Sequence, residues 1–159
     1  MFWRRVFRNM DITHTVMLIG EYNITIDDKG RLAVPVKLRE TFAAGAVVTR
    51  GLDASLFLLP KEEWGKLAER IASLPLGQAN SRAFARFMLA GAMDVQLDRQ
   101  GRFIVPEYLR NFAKLRKDVV MVGLQTRLEL WDKSTWEAYA KQAEEDSTAI
   151  AEQLGAVGI

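Results

Sequence analysis

The sequence predicts an α+β protein built from two tandem copies of one strand-rich unit, with a helical segment after each copy. The first observation is repetition: residues 20–27 match residues 91–98, and residues 30–35 match residues 101–106, both at an offset of 71. The second is alternation of apolar and polar side chains early in each copy, which is typical of a half-buried strand. The third is a tight-turn sequence containing Asp and Gly after each alternating stretch.

One inserted residue separates the later parts of the two copies, so the offset there becomes 72. The matching positions are 47–48 with 119–120, 51–52 with 123–124, Leu56 with Leu128, Leu58 with Leu130, and Trp64 with Trp136. Such a duplication indicates two copies of a unit of about 45 residues. A unit of that size buries too little apolar surface to be stable alone, so the copies are expected to pack together or against other chains.

Each unit is predicted to contain two strands, a short helix and two further strands, in the order ββαββ. Pro35 and Pro106 end the second strand and suit the first position of a helix, where an N–H is not needed. Gly51 and Gly123 are expected to begin the turns before the last strands. The predicted elements are strands 24–26, 31–34, 47–49 and 56–59 with helix 36–42, then strands 95–97, 102–105, 119–122 and 128–131 with helix 107–113.

The turn between the first two strands reads Asp-x-x-Gly-Arg in both units. Asp27 and Asp98 can accept hydrogen bonds from backbone N–H groups, and Gly30 and Gly101 can adopt positive φ. We therefore expect these four residues to form the two turns.

Helices are predicted after each unit. Pro60 and Asp132 are expected to begin two of them, with Asp132 as an N-cap. A Leu-Pro-Leu-Gly stretch ends the first, and a further helix is predicted over residues 79–89. The last helix carries an apolar stripe that we interpret as core or subunit contact, formed by Trp136, Tyr139, Ala140, Ala143, Ile150 and Leu154.

Composition excludes several classes of protein. Of 159 residues, 49% are apolar and 26% are charged, close to the globular average. No run approaches the roughly 18 apolar residues of a membrane-spanning helix. Absence of cysteine, together with a single histidine, argues against disulfides, zinc–thiolate sites and nucleophilic catalysis. We therefore predict a protein that is not an enzyme, needs no cofactor or metal ion, and does not enter a membrane.

The formal net charge of +2 comes from residues 1–16, where Arg4, Arg5 and Arg8 outnumber Asp11. The remainder is neutral, so any contact with nucleic acid has to come from folded positions multiplied by oligomerisation. Polar residues interrupt the apolar stretch that a signal peptide requires, which favours a basic arm over a secretion signal.

Each Asp-x-x-Gly-Arg turn carries two cations: Lys29 and Arg31 in the first, Arg99 and Arg102 in the second. An arginine fork suits phosphate or the O6 and N7 atoms of guanine, and a two-stranded ribbon can enter a major groove. The same pattern also suits a hairpin whose arginine only forms an ion pair with the aspartate. The spacing alone does not distinguish these two interpretations.

The chain resembles the MraZ family of bacterial transcriptional regulators over about residues 17–155. The motifs that carry the resemblance are Gly-Glu-Tyr-Asn-Ile-Thr-Ile-Asp at 20–27, both Asp-x-x-x-Arg motifs, Val-Val-Thr-Arg-Gly-Leu-Asp at 47–53, Leu-Glu-Leu-Trp-Asp at 128–132, and Ser81, Arg82, Arg86 and residues 89–92. This resemblance implies two AbrB-like swapped-hairpin units, an intervening helical segment and a C-terminal helix.

The resemblance also implies a function. It is that of a sequence-specific DNA-binding regulator, mostly a repressor, of the division and cell wall gene cluster that begins with its own gene. A homo-oligomeric ring would present the hairpin arginines to direct repeats in double-stranded promoter DNA, in the cytoplasm at the nucleoid. Arg31 and Arg102 are the DNA-contacting candidates by resemblance, while Lys29 and Arg99 are added on the turn argument.

The expected organisation follows from the repeat and the resemblance. The segments are a basic arm at 1–16, a first unit at 20–63, a helical connector at 64–90, a second unit at 91–135, and a C-terminal helix and tail at 136–159. Because family members begin close to the Gly-Glu-Tyr-Asn string, residues 1–16 are either an added arm or precede a translation start at Met17. We expect the start at Met17.

Two alternatives remain beside this interpretation. One is a related AbrB-type regulator or a toxin-neutralising antitoxin, against which the duplication within one chain argues. The other is a ring-shaped scaffold that binds other proteins, for which salt-independent capture by peptide rather than DNA would be the distinguishing observation.

Overall fold

Eight antiparallel strands form two sheets in the part of the chain that the computed structural model describes, residues 17–158. The strands are β1 (Leu18–Thr25), β2 (Arg31–Ala33), β3 (Ala46–Arg50), β4 (Leu56–Pro60), β5 (Met93–Val95), β6 (Arg102–Ile104), β7 (Asp118–Gln125) and β8 (Leu128–Asp132). Six of them form one sheet in the order β1-β7-β8-β4-β3-β5, while β2 and β6 form a separate two-stranded ribbon.

Helices connect and flank these strands. They are a 3-10 helix (Val36–Phe42), α1 (Lys61–Ala72), α2 (Ala79–Ala90), α3 (Glu107–Phe112), α4 (Lys133–Glu145), α5 (Ser147–Leu154) and a final 3-10 turn (Gly155–Val157). Within residues 17–158, none of the helices has both the length and the apolar character needed to cross a membrane. The predicted α+β class, with a helical segment between two units and helix at the C-terminal end, is confirmed.

The two units exchange strands instead of folding as separate hairpins. β1 pairs with β7 of the second unit over eight residue pairs, from Leu18 opposite Gln125 to Thr25 opposite Asp118. β2 pairs with β6, so that Leu32 lies opposite Phe103. The turn after β1 therefore joins two strands that have different partners. This arrangement is the swapped hairpin that the family resemblance implies.

The main core lies between one face of the six-stranded sheet and the ribbon. Leu32, Val34, Phe103 and Val105 on and beside the ribbon are at most 3% exposed and pack against that face. Leu38 and Phe42 of the 3-10 helix and Leu109 and Ala113 at α3 complete this layer. The sheet face, the ribbon and the short helices that form this main core all contain residues of both units, so the main core is shared between the units.

Helices cover the opposite face of the sheet in two groups. α1 and α2 place Ile71 and Met88 against Phe57 and Leu59 of β4. α4 places Trp136 over Trp131 of β8, with ring centroids 5.3 Å apart. Alternation along β4 and β8 explains both groups, because successive side chains of a strand point to opposite faces.

The prediction that Gly123 begins a turn is wrong. Gly51 does begin one, because β3 ends at Arg50, and its N–H donates to the carbonyl of Ser55 at 2.8 Å. Gly123 instead lies inside β7, opposite Gly20 of β1. The eight-residue partner β1 extends β7 beyond the point at which the equivalent strand β3 stops.

The first strand of each unit lies earlier than the alternation predicts. Residues 24–26 and 95–97 are the predicted ranges, whereas β1 begins at Leu18 and β5 ends at Val95. In each case pairing with the partner strand sets the length: β1 pairs with β7 over eight residues, and β5 pairs with β3 over three. The remaining predicted strands agree with the observed ones to within a few residues.

The ends of several helices also differ from the prediction. Pro35 and Pro106 lie one residue before their helices, at the N-cap position, with ψ of 139° and 144°. Asp132 is at the N-cap of α4 as expected, but its carboxylate accepts hydrogen bonds from Ser134 and Arg116 and not from the helix backbone. The prediction of one long last helix is wrong, because it is divided at Asp146 into α4 and α5. Asp and Ser compete with the helix backbone for hydrogen bonds, which favours a break at this dipeptide.

We predict that Gly123→Ala destabilises the protein and that Gly65→Ala does not. A Cβ at Gly123 would lie 2.5 Å from the backbone N of Ile19, whereas nothing lies within 4 Å of a Cβ at Gly65. The first variant should lose about 1–3 kcal/mol of unfolding free energy through this overlap. The second should gain up to about 1 kcal/mol, since Ala favours helix over Gly. Urea unfolding of both variants checks this; equal stability of the two would contradict the β1–β7 register.

Candidate nucleic-acid interface

The first turn is closed by the carboxylate of Asp27. Its Oδ1 accepts hydrogen bonds from the backbone N–H groups of Lys29 and Arg31, both at 2.9 Å. Its Oδ2 accepts from Nε of Arg31 at 2.6 Å. The N–H of Gly30 donates to the carbonyl of Asp27 at 3.0 Å, with Gly30 at φ of +77°. Three donors to the carboxylate and one to the backbone carbonyl therefore fix both the turn and the guanidinium of Arg31.

The second turn repeats this network bond for bond. Oδ1 of Asp98 accepts from the N–H groups of Gln100 and Arg102 at 2.8 and 2.9 Å. Oδ2 accepts from Nε of Arg102 at 3.0 Å, and Gly101 has φ of +73°. Two turns with the same residue types at the same positions thus adopt the same geometry.

The ion pair and the DNA-contact interpretations of the turn arginines are compatible in this geometry. Arg31 and Arg102 use Nε for their aspartates, and their side chains are 30% and 34% exposed. Within residues 17–158 the terminal Nη atoms of both guanidiniums make no hydrogen bond. The aspartate therefore orients the guanidinium while its terminal donors are left for a ligand. Such donors match the paired acceptors of a phosphate or of guanine.

The two turns lie at opposite ends of the β2–β6 ribbon. The carbonyl of Gly30 accepts a hydrogen bond from Val105 N–H, and the carbonyl of Gly101 accepts one from Val34 N–H, both at 2.9 Å. Each turn is therefore hydrogen-bonded to the strand of the other unit. Because the strands are antiparallel, the two turns extend from the ribbon in opposite directions.

Two further arginines approach the turns from the opposite unit. The guanidinium of Arg110 occupies the space where a Cβ of Gly30 would be, and Arg39 does the same at Gly101. Nε of Arg39 also donates to the carbonyl of Val34 at 2.7 Å. The sequence repeat pairs Arg39 with Arg110, but nothing in the spacing shows that each lies at the turn of the other unit.

The two remaining candidates, Lys29 and Arg99, are both exposed but do not occupy equivalent positions. The offset of 71 aligns Asp28 with Arg99, and Lys29 with Gln100. The structure therefore brings Asp27, Gly30 and Arg31 together with Lys29 at one turn, and Asp98, Gly101 and Arg102 with Arg99 at the other. The charged side chains therefore occupy different positions in the two turns, although the backbone of the two turns is the same.

Hydrogen bonding lowers the pKa of both turn aspartates below the ordinary 3.8. The largest cause is the bond from the backbone N–H of Arg31 to Asp27, and of Arg102 to Asp98. Both carboxylates are therefore charged at neutral pH and hold the guanidiniums in place. Among residues 17–158, no group of three or more His, Cys, Asp or Glu side chains could hold a metal ion.

We predict that these two aspartates contribute to the loss of stability in acid. A carboxylate whose pKa is lowered by folding stabilises the protein above the unfolded value and loses this contribution as pH falls through the folded value. The double variant Asp27→Asn/Asp98→Asn should therefore be less stable than the unmodified chain at about pH 6 and closer to it at about pH 3. Asp28→Asn is the control, since its carboxylate makes no hydrogen bond within the described residues. Urea unfolding at both pH values measures the difference, and a gap that does not shrink in acid would contradict the assignment.

Comparison with known proteins identifies relatives along nearly the whole chain. The profile of the family described as "MraZ protein, putative antitoxin-like" matches residues 17–87 and 88–156. A protein of Moorella thermoacetica named "Transcriptional regulator MraZ" is 45% identical over 138 residues, which is 87% of this chain and 96% of that protein. One of the same name from Desulfitobacterium hafniense is 45% identical over 143 residues, 90% of this chain and 100% of that protein. On these matches the chain belongs to the MraZ family.

Proposed function

We propose that this protein is a transcriptional regulator that binds DNA in a sequence-specific way. The observation that carries the proposal is the set of relatives at 45% identity that are named transcriptional regulators and that align along nearly the whole chain. The paired turns add physical support, because each offers an oriented arginine whose terminal donors are free within the described residues. We propose no catalytic role.

The finer function follows the family resemblance. We propose that the protein acts in the cytoplasm at the nucleoid, mostly as a repressor, on the division and cell wall gene cluster that includes its own gene. The proposed target is a series of direct repeats in the promoter, bound by a homo-oligomeric ring. A ring would present many copies of the turns to DNA, which is needed because the formal net charge of one chain is only +2. Each turn alone would add little electrostatic affinity.

In the proposed mode of DNA recognition, side chains of both turns contact the DNA. Arg31 and Arg102 would contact base edges or phosphates with their Nη atoms, and the exposed Lys29 and Arg99 would contact the DNA backbone. Backbone contacts position a protein on DNA, and base contacts specify the sequence. Held by Asp27 and Asp98, the two guanidiniums would lose little conformational freedom on binding.

A second candidate is an antitoxin, since the family description contains the words "antitoxin-like". Its distinguishing property would be a protein partner bound in addition to promoter DNA. Co-purification of a stoichiometric second protein from native cells would favour it. Recovery of the chain with its own promoter fragment alone would favour the regulator.

We predict that Arg31→Ala and Arg102→Ala weaken DNA binding without lowering the melting temperature. Loss of one bidentate contact to a base costs about 1–3 kcal/mol, and a ring repeats that loss at every site it engages. The ion pairs of these arginines with Asp27 and Asp98 are partly exposed to solvent, and such pairs contribute little to stability. The measurement is a gel-shift titration on the DNA upstream of its own gene, alongside thermal melting.

Arg70→Ala is the matched control for these variants, because Arg70 is an exposed arginine of α1. It should leave binding close to that of the unmodified chain. If the turn variants melt early and lose binding only in proportion, the arginines have a structural role and the proposed contacts are wrong.

We also predict a closed homo-oligomer larger than a dimer. Several large apolar side chains are exposed on the single chain, among them Ile19 (52%), Leu124 (41%) and Leu154 (42%). Contacts between different surfaces of identical chains close into rings when the rotation permits. Multi-angle light scattering should give a mass of several protomers, and a stable monomer at micromolar concentration would contradict the ring.

A further inference from the structure

Beside each turn lies a cleft, and the two clefts are equivalent under the internal repeat. The first cleft, of about 450 Å³, is lined by Ile26, Asp27, Asp28 and Arg110 among others. The second cleft, of about 250 Å³, is lined at the equivalent positions by Leu97, Asp98, Arg99 and Arg39. In both, the arginine of one unit faces the turn of the other. The repeated fold therefore forms an equivalent cleft beside each turn.

The charges that line the two clefts differ. Three acidic and three basic side chains line the first cleft: Asp27, Asp28 and Glu107 with Arg110, Arg116 and Lys117. The second cleft has Asp98 as its one acidic residue, against Arg39 and Arg99. The first cleft is thus neutral and the second is cationic. The largest single cause is one repeat position, where Asp28 stands in the first unit and Arg99 in the second.

The two arginines that line the second cleft have donors available for an anion. Arg39 is held by the bond from its Nε to the carbonyl of Val34, and its terminal Nη atoms make no hydrogen bond within the described residues. Asp98, the acidic residue of the cleft, already accepts two backbone N–H bonds and Nε of Arg102. Its charge is therefore compensated locally, which leaves Arg39 and the exposed Arg99 as donors to a ligand.

We propose that the second cleft binds a backbone phosphate of DNA through Arg39 and Arg99, and that the first cleft does not. The proposal rests on the proposed function and deepens it, because it adds Arg39 of the first unit to Arg99 in one phosphate site. Asp28 stands where the first cleft would need a cation, so a phosphate there would meet a carboxylate. The two turns of one chain are consequently unequal: only the second combines an oriented arginine with a phosphate clamp.

This inequality gives the protomer a direction on DNA. The backbone of the two units is related by an approximate twofold repeat, which by itself would suit a palindromic site. A cationic cleft at one end of the ribbon and a neutral cleft at the other end break that symmetry. Direct repeats, in which every copy has the same orientation, fit a protomer that has a phosphate-binding cleft at one end of the ribbon only.

The test is the salt dependence of DNA affinity, measured by fluorescence anisotropy on two duplexes. One duplex is the DNA upstream of its own gene and the other has the same length and random sequence. Arg99→Gln should weaken binding to both duplexes. The plot of the logarithm of the association constant against the logarithm of salt concentration should become shallower, by about one unit of slope per engaged protomer. Arg99→Lys, which keeps the charge, should retain the slope. Asp28→Arg, which supplies the missing cation to the first cleft, should steepen it.

Arg70→Gln is the control and should leave the slope unchanged, and thermal melting shows that each variant is folded. An unchanged slope for Arg99→Gln, with the unmodified chain binding DNA normally, would overturn the phosphate site and leave the proposed function intact. An unmodified chain that does not prefer its own promoter would instead overturn the proposed function. In that case a slope change on both duplexes would still support the cleft. An unmodified chain that binds neither duplex would overturn both.

Discussion

Reciprocal pairing of β2 with β6 is the constraint on which the rest of this structure depends. Each strand has three residues, and an isolated two-stranded ribbon of this length is marginal in water. The ribbon is stable because Leu32 and Phe103, opposite each other, are 0% and 3% exposed in the core shared by both units. Formation of the ribbon therefore requires both units, and so does every feature attached to it.

The position of each turn also depends on both units, and this links the fold to the proposed function. A turn closed by its own Asp27 or Asp98 has the correct local shape, but its position is set by bonds from Val105 and Val34 of the opposite strands. The arginine packed against each turn glycine also comes from the other unit. Local hydrogen bonds thus orient the side chains that would contact DNA, while the exchange between units holds each turn against the ribbon.

Sequence alone predicts the units and turns well and the strand partners poorly. Repetition and alternation locate most strands within a few residues, because both depend on local pattern. A turn such as Asp27 to Arg31 looks the same whether its flanking strands pair together or with another unit, so the residue pattern leaves the partner open; the family resemblance implied the exchange. The prediction for Gly123 is wrong for the same reason, since its strand is extended by a distant partner. The positions of Arg39 and Arg110 beside the turns depend wholly on contacts between units, which no spacing reveals.

The most direct test of the exchange is hydrogen exchange at two backbone amides, those of Val34 and Val105. Each donates to the turn of the other unit, to Gly101 and Gly30 respectively, so neither bond survives if either unit opens. The two amides should therefore exchange with the same opening free energy, equal to that of global unfolding. Exchange of one amide at a distinctly lower free energy, while the other stays protected, would show units that open independently and would contradict the shared ribbon.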